Sequence, residues 1–194
     1  DDTSLLQTTV LRVAELPEVL PPIVVVGEDH RFITKTQIEE LDGQDEYTIL
    51  LEPVGKNTAP AICGAAHFCA KELGEDVVML VLPADHIVTK PKAFEEAVEK
   101  AVQLAMNGNV VTFGINPTSP ETGYGYIEQG EGDQVQSFKE KPDLATAEQY
   151  LASGNYYWNS GMFAFTVQTF LAEMTEHSPE IVNTMAEAVE NGSR

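Results

Sequence analysis

Short apolar runs alternate with amphipathic stretches along the first 115 residues of the chain. The runs lack a period-two alternation, which is typical of strands covered on both faces. They occupy Ile23–Gly27, Thr48–Glu52, Val77–Leu82 and Val110–Ile115. Helical spacing is found over Ser4–Glu15, Arg31–Leu41, from Asn57 or Thr58 to about Leu73, and over Ala93–Met106. Ser4 is a plausible N-cap of the first helix, and strand–helix alternation of this kind predicts a parallel, doubly wound α/β sheet.

The pattern changes after residue 115. Prolines and glycines cluster, and two short strands of antiparallel style follow at 124–129 and 134–140. A helix is predicted over 144–153, then a strand over 157–166, then one helix broken at Ser178–Pro179 or two helices up to residue 190. Because there is no repeat, low-complexity tract or linker, the 194 residues predict one domain over 1–194.

The charge balance excludes some partners. With 31 acidic against 11 basic residues, the net charge of −20 repels nucleic acid and anionic membranes. No apolar stretch is long enough to cross a membrane, and the first residues lack signal-peptide features. Cys63 and Cys69 lie six residues apart, do not share a helix face, and are expected to be thiols of a reduced compartment. A cytoplasmic protein is therefore predicted, and a homo-oligomer is left open.

Two predicted strands end in polar loops, Glu52–Ala61 and Pro83–His86. Ligands of open α/β sheets bind outside the carboxyl ends of the strands, so both loops are candidate sites. The Asp85 carboxylate could hold Mg²⁺, or it could be an ordinary turn or cap residue. Lys56 and Asn57 could reach a base or a phosphate, or form a turn and a helix cap.

The second half of the chain carries three further polar candidates. In Glu140–Lys141, a carboxylate could accept from sugar hydroxyls and an ammonium could neutralise a phosphate, unless the two form a solvated pair. The glycines around Tyr124 could bring backbone close to a ligand, or serve as bulges of a hairpin. Asn159 and Ser160 interrupt an aromatic strand, so they either bind a ligand or face the wet side of a sheet.

Five segments in this order resemble the mannose-1-phosphate guanylyltransferases, a branch of the sugar nucleotidyltransferase family. They are Glu52–Ala61, Leu82–His86, Thr112–Ile115 with Pro120–Ile127, Phe138–Pro142 and Trp158–Met162. The forms Lys-Asn-Thr-Ala-Pro-Ala and Trp-Asn-Ser-Gly-Met resemble the mannose branch more than the glucose or thymidylyl branches. The resemblance runs from Ser4 to about Pro179.

The resemblance implies a Rossmann-like, doubly wound mixed sheet of the nucleotide-diphospho-sugar transferase type. It implies that GTP and mannose-1-phosphate react with Mg²⁺ to give GDP-mannose and pyrophosphate. Asp85 and Lys141 would be catalytic, and Asp85 would bind the metal. The implied nucleotide-binding residues are Glu52, Pro53, Lys56, Asn57, Thr58, Ala59, Pro83 and Ala84. The implied sugar-phosphate-binding residues are Gly123, Tyr124, Gly125, Glu140, Lys141, Asn159 and Ser160.

Some parts of the family pattern are not found in the chain. The first strand with its Gly-rich triphosphate loop, a second metal-binding Asp and the C-terminal part are not matched, so the chain by itself is expected to bind a sugar nucleotide weakly and not to turn over. The missing strand would lie between Ile23–Gly27 and Val77–Leu82. We expect this gap to be filled by other residues or by a partner chain, or to be closed by direct pairing of the two strands.

Other functions remain as alternatives. A non-catalytic sugar-nucleotide-binding homologue would keep the sugar pocket. A glycosyltransferase that uses GDP-mannose would usually show an Asp-x-Asp pair, which is not found. A dinucleotide-dependent dehydrogenase is disfavoured because no G-x-G-x-x-G follows a strand.

Overall fold

A computed structural model describes residues 3–192, so the ends of the predicted domain, residues 1–2 and 193–194, lie outside the described residues. The helices of this part are α1 (Leu5–Ala14), α2 (Arg31–Glu39), α3 (Thr58–Glu72), α4 (Pro91–Met106), α5 (Leu144–Ser153), α6 (Val167–His177) and α7 (Pro179–Asn191). The strands are β1 (Ile23–Gly27), β2 (Thr48–Glu52), β3 (Val78–Val81), β4 (Val111–Ile115), β5 (Tyr126–Gln129), β6 (Val135–Lys139) and β7 (Tyr156–Thr166). Parallel and antiparallel pairs both occur, which confirms the predicted mixed α/β class.

Local sequence signals set several element ends. The Ser4 hydroxyl accepts from the Gln7 N–H at 3.1 Å, and the Gln7 side chain accepts from the Ser4 N–H at 2.8 Å, so the predicted N-cap is part of a capping box. Gly154 takes the left-handed conformation with φ of 75° and ends α5. The last helical stretch is two helices, since Pro179 begins α7 directly after Ser178.

The first of two compact units comprises the described residues up to Val110 and from Ala164 onwards. In it β1 and β2 are parallel, in register from Ile23 opposite Thr48 to Gly27 opposite Glu52. Strand β3 pairs with β7, and just past the end of β7 the Val167 N–H donates to the Val77 carbonyl at 3.0 Å. Parallel pairing of the short apolar runs is what their lack of alternation predicts.

Strands β1 and β3 do not pair with each other in the described part of the chain. Ile23 of β1 and Met79 of β3 nevertheless pack against the same buried cluster, which consists of Ala66, Cys69 and Val167. The two strands therefore face one helical layer without closing up. The expected strand between them stays a prediction.

The second unit comprises Val111–Phe163. Strand β7 pairs with β4 and, antiparallel, with β5, which in turn pairs antiparallel with β6. In this arrangement Tyr126 lies opposite Trp158 on one side and Lys139 on the other. The antiparallel style predicted for the second half is confirmed, and the prediction of a single domain stays a prediction.

Both cysteines are buried and unpaired in α3. Burial raises the pKa of the Cys63 and Cys69 thiols, which disfavours the reactive thiolate. They are therefore core residues, as the sequence indicates. Among residues 3–192, no helix combines the length and the apolar character that a membrane span requires.

Candidate nucleotide and sugar-phosphate sites

The predicted nucleotide loop follows β2 in the first unit. Glu52 is the last residue of β2 and is half-buried, whereas the other predicted residues of this loop, Pro53, Lys56, Asn57, Thr58 and Ala59, are exposed. Asn57 occupies the N-cap position of α3 with φ of 70°, and its side chain makes no capping hydrogen bond. The first N–H groups of α3 and the Asn57 amide thus stay available beside the Lys56 ammonium, a set of donors that suits an anionic or carbonyl-bearing ligand.

The second predicted loop follows β3 and contains Pro83, Ala84 and Asp85. The Asp85 side chain is 81% exposed, with its carboxylate 3.8 Å from His86 Nε2. Mg²⁺ usually binds through one or two carboxylates together with substrate phosphates, so an exposed carboxylate at a strand end fits this ion. No group of three or more His, Cys, Asp or Glu side chains in the described residues is arranged as a complete metal cage. Asp85 therefore suits an ion that arrives with a phosphorylated substrate.

Glu140 is held close to the backbone of Gly125 in the second unit. A Cβ atom at Gly125 would lie 2.8 Å from Glu140 Oε2 and 2.8 Å from Phe138 Cζ. Only glycine therefore lets both side chains take these positions. Glu140 is 58% exposed, so its carboxylate is available to accept hydrogen bonds from a ligand such as a sugar.

Lys141 continues this surface in an unusual backbone conformation. Its φ is 44°, in the left-handed region, and its N–H donates to the Tyr124 carbonyl at 3.2 Å. The ammonium lies 3.4 Å from Glu140 Oε1 and is 64% exposed. Carboxylate and ammonium thus stand side by side, as the spacing predicts, and both remain accessible to a sugar phosphate.

Asn159 is tied to the same backbone. Its N–H donates to the Gly125 carbonyl at 2.7 Å, and its Oδ1 accepts from the Thr112 hydroxyl at 3.1 Å and from the Gly161 N–H at 3.3 Å. With the oxygen occupied, the amide nitrogen of Asn159 is left to donate. This orientation suits a hydroxyl or ring oxygen of a ligand.

Ser160 has a different environment from its neighbour. The side chain is buried, donates to the Phe113 carbonyl at 2.7 Å and accepts from the Met162 N–H at 3.1 Å. Its hydrogen-bonding groups are used within the unit. The structure thus gives Ser160 a bridging role between β4 and β7, and sugar contact by Ser160 stays a prediction.

Tyr124 and the glycines on either side of it complete the second-unit group. The Tyr124 ring is half-exposed and meets the Trp158 ring edge-on, with centroids 5.2 Å apart and an interplanar angle of 72°. The Trp158 indole N–H is buried without a hydrogen-bond partner. Backbone bonds from Lys141 and Asn159 to Tyr124 and Gly125 therefore bring the predicted sugar-phosphate residues together around one turn.

Sequence patterns missed three residues that shape these sites. Thr112 orients the Asn159 amide, Trp158 supports the Tyr124 ring, and Arg12 donates to the His86 carbonyl at 2.6 Å. Each contact joins positions more than 30 residues apart in the sequence. Thr112 and Trp158 lie within two of the five family-like segments, but no local spacing signals Arg12.

A shallow cavity of about 190 Å³ also lies in the second unit. It is lined by Thr112, Gly114, Ile127, Gln129, Asp133, Gln134, Val135 and Tyr157. None of these is a predicted site residue. Glu140, Lys141 and Asn159 are the stronger indication of a binding surface, because all three contact the Tyr124–Gly125 backbone and leave hydrogen-bonding capacity unused.

Comparisons with known proteins identify the family and the fold type of the chain. The model of the nucleotidyl transferase family matches residues 1–194. A relative from Vibrio cholerae, provisionally named a mannose-1-phosphate guanylyltransferase, is 52% identical over 183 residues, which cover 92% of this chain and 38% of the relative. The chain spans about two fifths of the length of the curated relatives that it matches, since the covered shares run from 38% to 43%.

Two solved structures are similar along nearly the whole chain. One, described as a mannose-6-phosphate isomerase from Helicobacter pylori, has a TM-score of 0.88 at 35% identity and covers 98% of this chain and 72% of the other. The second, described as a mannose-1-phosphate geranyltransferase from Thermus thermophilus, has a TM-score of 0.84 at 34% identity and covers 97% of this chain and 55% of the other. These similarities confirm the predicted fold type.

Proposed function

The chain belongs to the nucleotidyl transferase family, and from that premise we propose that the protein makes GDP-mannose and pyrophosphate from GTP and mannose-1-phosphate. Curated relatives that carry the name mannose-1-phosphate guanylyltransferase support this choice of substrates. The observation that carries the proposal is the group formed by Glu140, Lys141 and Asn159 around the Gly125 turn. It offers an acceptor, a cation and an amide donor, the three kinds of group that a sugar phosphate needs.

The reaction is a transfer at phosphorus. An oxygen of the sugar phosphate attacks the α-phosphorus of GTP, the bond from that phosphorus to the bridging oxygen of the β-phosphate breaks, and pyrophosphate leaves with the electron pair. The protein contributes positioning and charge neutralisation, because such transfers need little covalent help. Bound Mg²⁺ would neutralise charge on the phosphoryl oxygens.

Each second-unit side chain has a task in this proposal. Glu140 accepts from mannose hydroxyls, and the Asn159 amide nitrogen donates to the sugar. The Lys141 ammonium, 64% exposed, neutralises the sugar phosphate while the adjacent carboxylate at 3.4 Å limits its reach. Hydrogen bonds from charged groups fix both the orientation of the sugar and the direction of the attacking oxygen.

The first-unit residues act on the nucleotide in this proposal. Lys56, the Asn57 amide and the free N–H groups at the start of α3 bind the base and ribose. Asp85 holds Mg²⁺ together with the substrate phosphates, and Glu52, Pro53, Pro83 and Ala84 form the surrounding walls. We place the reaction in the cytoplasm, which the two unpaired, buried cysteines support.

The decisive experiment uses the full-length protein that contains this chain. It is incubated with GTP, mannose-1-phosphate and Mg²⁺, and pyrophosphate release is followed beside chromatography of GDP-mannose. Parallel arms replace GTP by ATP and mannose-1-phosphate by glucose-1-phosphate. Product formation that requires both substrates is expected.

Two other outcomes discriminate between functions. GDP-mannose binding without any pyrophosphate release would favour the non-catalytic homologue. An arm with mannose-6-phosphate alone tests the activity in the name of the Helicobacter pylori relative. Conversion in that arm, without transfer from GTP, would refute the proposal.

A further inference from the structure

Arg12 on α1 links three elements of the first unit. Its Nη2 donates to the His86 backbone carbonyl at 2.6 Å, across 74 residues of sequence. Its guanidinium carbon lies 5.7 Å from the centre of the Phe94 ring on α4. The guanidinium therefore connects α1, the loop that follows β3 and the helix that follows this loop.

This arginine is held under unfavourable electrostatic conditions. Its Nη1 is buried and has no hydrogen-bond partner, and burial lowers the pKa of the guanidinium. Removing part of a cation from water destabilises a fold unless other contacts compensate for the lost hydration. The hydrogen bond from Arg12 to the His86 carbonyl offsets part of this desolvation cost. The same bond restrains the Pro83–His86 loop.

Asp85 precedes the carbonyl that Arg12 holds. The Asp85 side chain is 81% exposed and lies 3.8 Å from His86 Nε2, so its own contacts restrain it weakly. The direction of its carboxylate is thus set mainly by the backbone of the loop. Fixing the His86 carbonyl removes freedom from the residue directly after Asp85.

We propose that Arg12 is a positioning residue, which fixes the Pro83–His86 loop and thereby aims the Asp85 carboxylate at the divalent ion of the nucleotide. This inference rests on the proposed function. Groups that orient a metal ligand without touching the metal typically change metal affinity by about 10- to 100-fold when they are removed. Arg12 would have this effect without contacting the Asp85 carboxylate, because its hydrogen bond goes to the backbone of the loop.

The test compares variants of the full-length protein by two readouts. Mn²⁺ binding in the presence of GDP-mannose is measured by electron paramagnetic resonance, and the Mg²⁺ concentration for half-maximal pyrophosphate release is measured separately. Arg12→Met is expected to weaken both by about tenfold, because the contact that orients the metal ligand is lost. Arg12→Lys, which keeps the positive charge and one donor nitrogen, is expected to recover part of the loss.

The chain offers a matched control. Arg31 on α2 also lies over an aromatic ring, with its guanidinium carbon 4.4 Å from the centre of Phe32. Arg31→Met removes the same charge and a similar ring contact away from the loop, and is expected to leave the Mn²⁺ affinity unchanged. If Arg12→Met does not fold, Phe94→Leu removes the ring beneath the guanidinium and is expected to give a smaller loss of Mn²⁺ affinity.

The outcomes separate this inference from the proposed function. If Arg12→Met binds Mn²⁺ as tightly as the wild type, the positioning role is overturned, even if the melting temperature of the variant falls. If Arg12→Met does not fold, the same result in Phe94→Leu overturns it. Failure of the wild-type protein to form GDP-mannose would overturn the proposed function. Weaker Mn²⁺ binding in Arg12→Met but not in Arg31→Met would support the inference.

Discussion

Replacing Gly125 by Ala should damage the proposed sugar-phosphate site while leaving the fold nearly intact. The added Cβ would lie 2.8 Å from Glu140 Oε2 and from Phe138 Cζ, whereas ordinary contact begins at 3.4 Å. Both atoms are the far ends of exposed side chains, so they can retreat by rotation. Gly125 has no positive φ, and the effect of the substitution is therefore steric rather than conformational.

The size of the effect follows from this displacement. Glu140 must retreat by about 0.6 Å, and groups that bind or orient a substrate need to be held within about 0.5 Å of their productive positions. Misplacement by about 1 Å can cost 100-fold in rate, so we expect kcat/KM for mannose-1-phosphate to fall by about 10- to 100-fold. This loss corresponds to about 1.4–2.7 kcal/mol of transition-state stabilisation.

Steady-state kinetics with each substrate varied in turn would measure the change. Gly130→Ala is the matched control, because its Cβ would meet its nearest neighbours at 3.4 Å, an ordinary contact in the same hairpin. The KM for GTP should change little, since the added methyl group lies among the residues proposed to bind the sugar phosphate. An unchanged kcat/KM for mannose-1-phosphate in Gly125→Ala, or an equal loss for both substrates, would refute the reasoning.

Three further predictions follow from the same contacts. Lys141→Ala should raise the KM for mannose-1-phosphate more than that for GTP, because a hydrogen bond to a charged group contributes about 1.5–3 kcal/mol. Ser160→Ala should lower the free energy of unfolding by about 1–3 kcal/mol, since it leaves the buried Phe113 carbonyl without its donor, and urea denaturation would show it. The Thr146 N–H at the start of α5 donates to the Asp143 carboxylate and holds its pKa below the usual value. This cap should therefore stabilise the protein above the pKa that Asp143 has in the unfolded state. The stabilisation should be lost as the pH falls through the pKa of Asp143 in the folded state. Denaturation of wild type and Asp143→Asn from pH 7 downwards would check the sign.

Each of these has a control and a contradicting outcome. Lys139→Ala removes a charge two residues from Lys141, and the same kinetic change in both variants would make the effect non-specific. Ser153→Ala removes an exposed hydroxyl, and a comparable loss there would argue against the buried bridge at Ser160. A stability difference between wild type and Asp143→Asn that grows towards low pH would contradict the assigned cause.

The elements were predictable because their signals are local. Apolar runs without alternation mark β1, β2 and β3, and Ser4, the predicted N-cap, marks the start of α1. Only the family resemblance implies that Glu140 and Gly125 belong to one site. In the structure, the absence of a Cβ at Gly125 leaves the space that the Glu140 carboxylate occupies. Motif order thus predicts more of the candidate site than composition or spacing alone.

Other features could not be predicted because they depend on distant contacts. Arg12 and His86 are separated by 74 residues, and no periodicity connects them. Ser160 is one residue from Asn159 in a recognised motif, yet adjacent strand positions point to opposite faces, and its hydroxyl bonds to backbone. A motif therefore identifies a segment, while the fold decides which of its side chains reach a ligand.

The left-handed backbone at Lys141 has a consequence for laboratory evolution. A non-glycine residue in this region costs on the order of 1–2 kcal/mol, which glycine would not incur. A library screened only for heat resistance should therefore enrich Gly or Asn at position 141, and the enriched clones would lack the ammonium beside Glu140. Screens on this protein would need a simultaneous selection for product formation, because stability and the proposed sugar-phosphate recognition make opposite demands on this position.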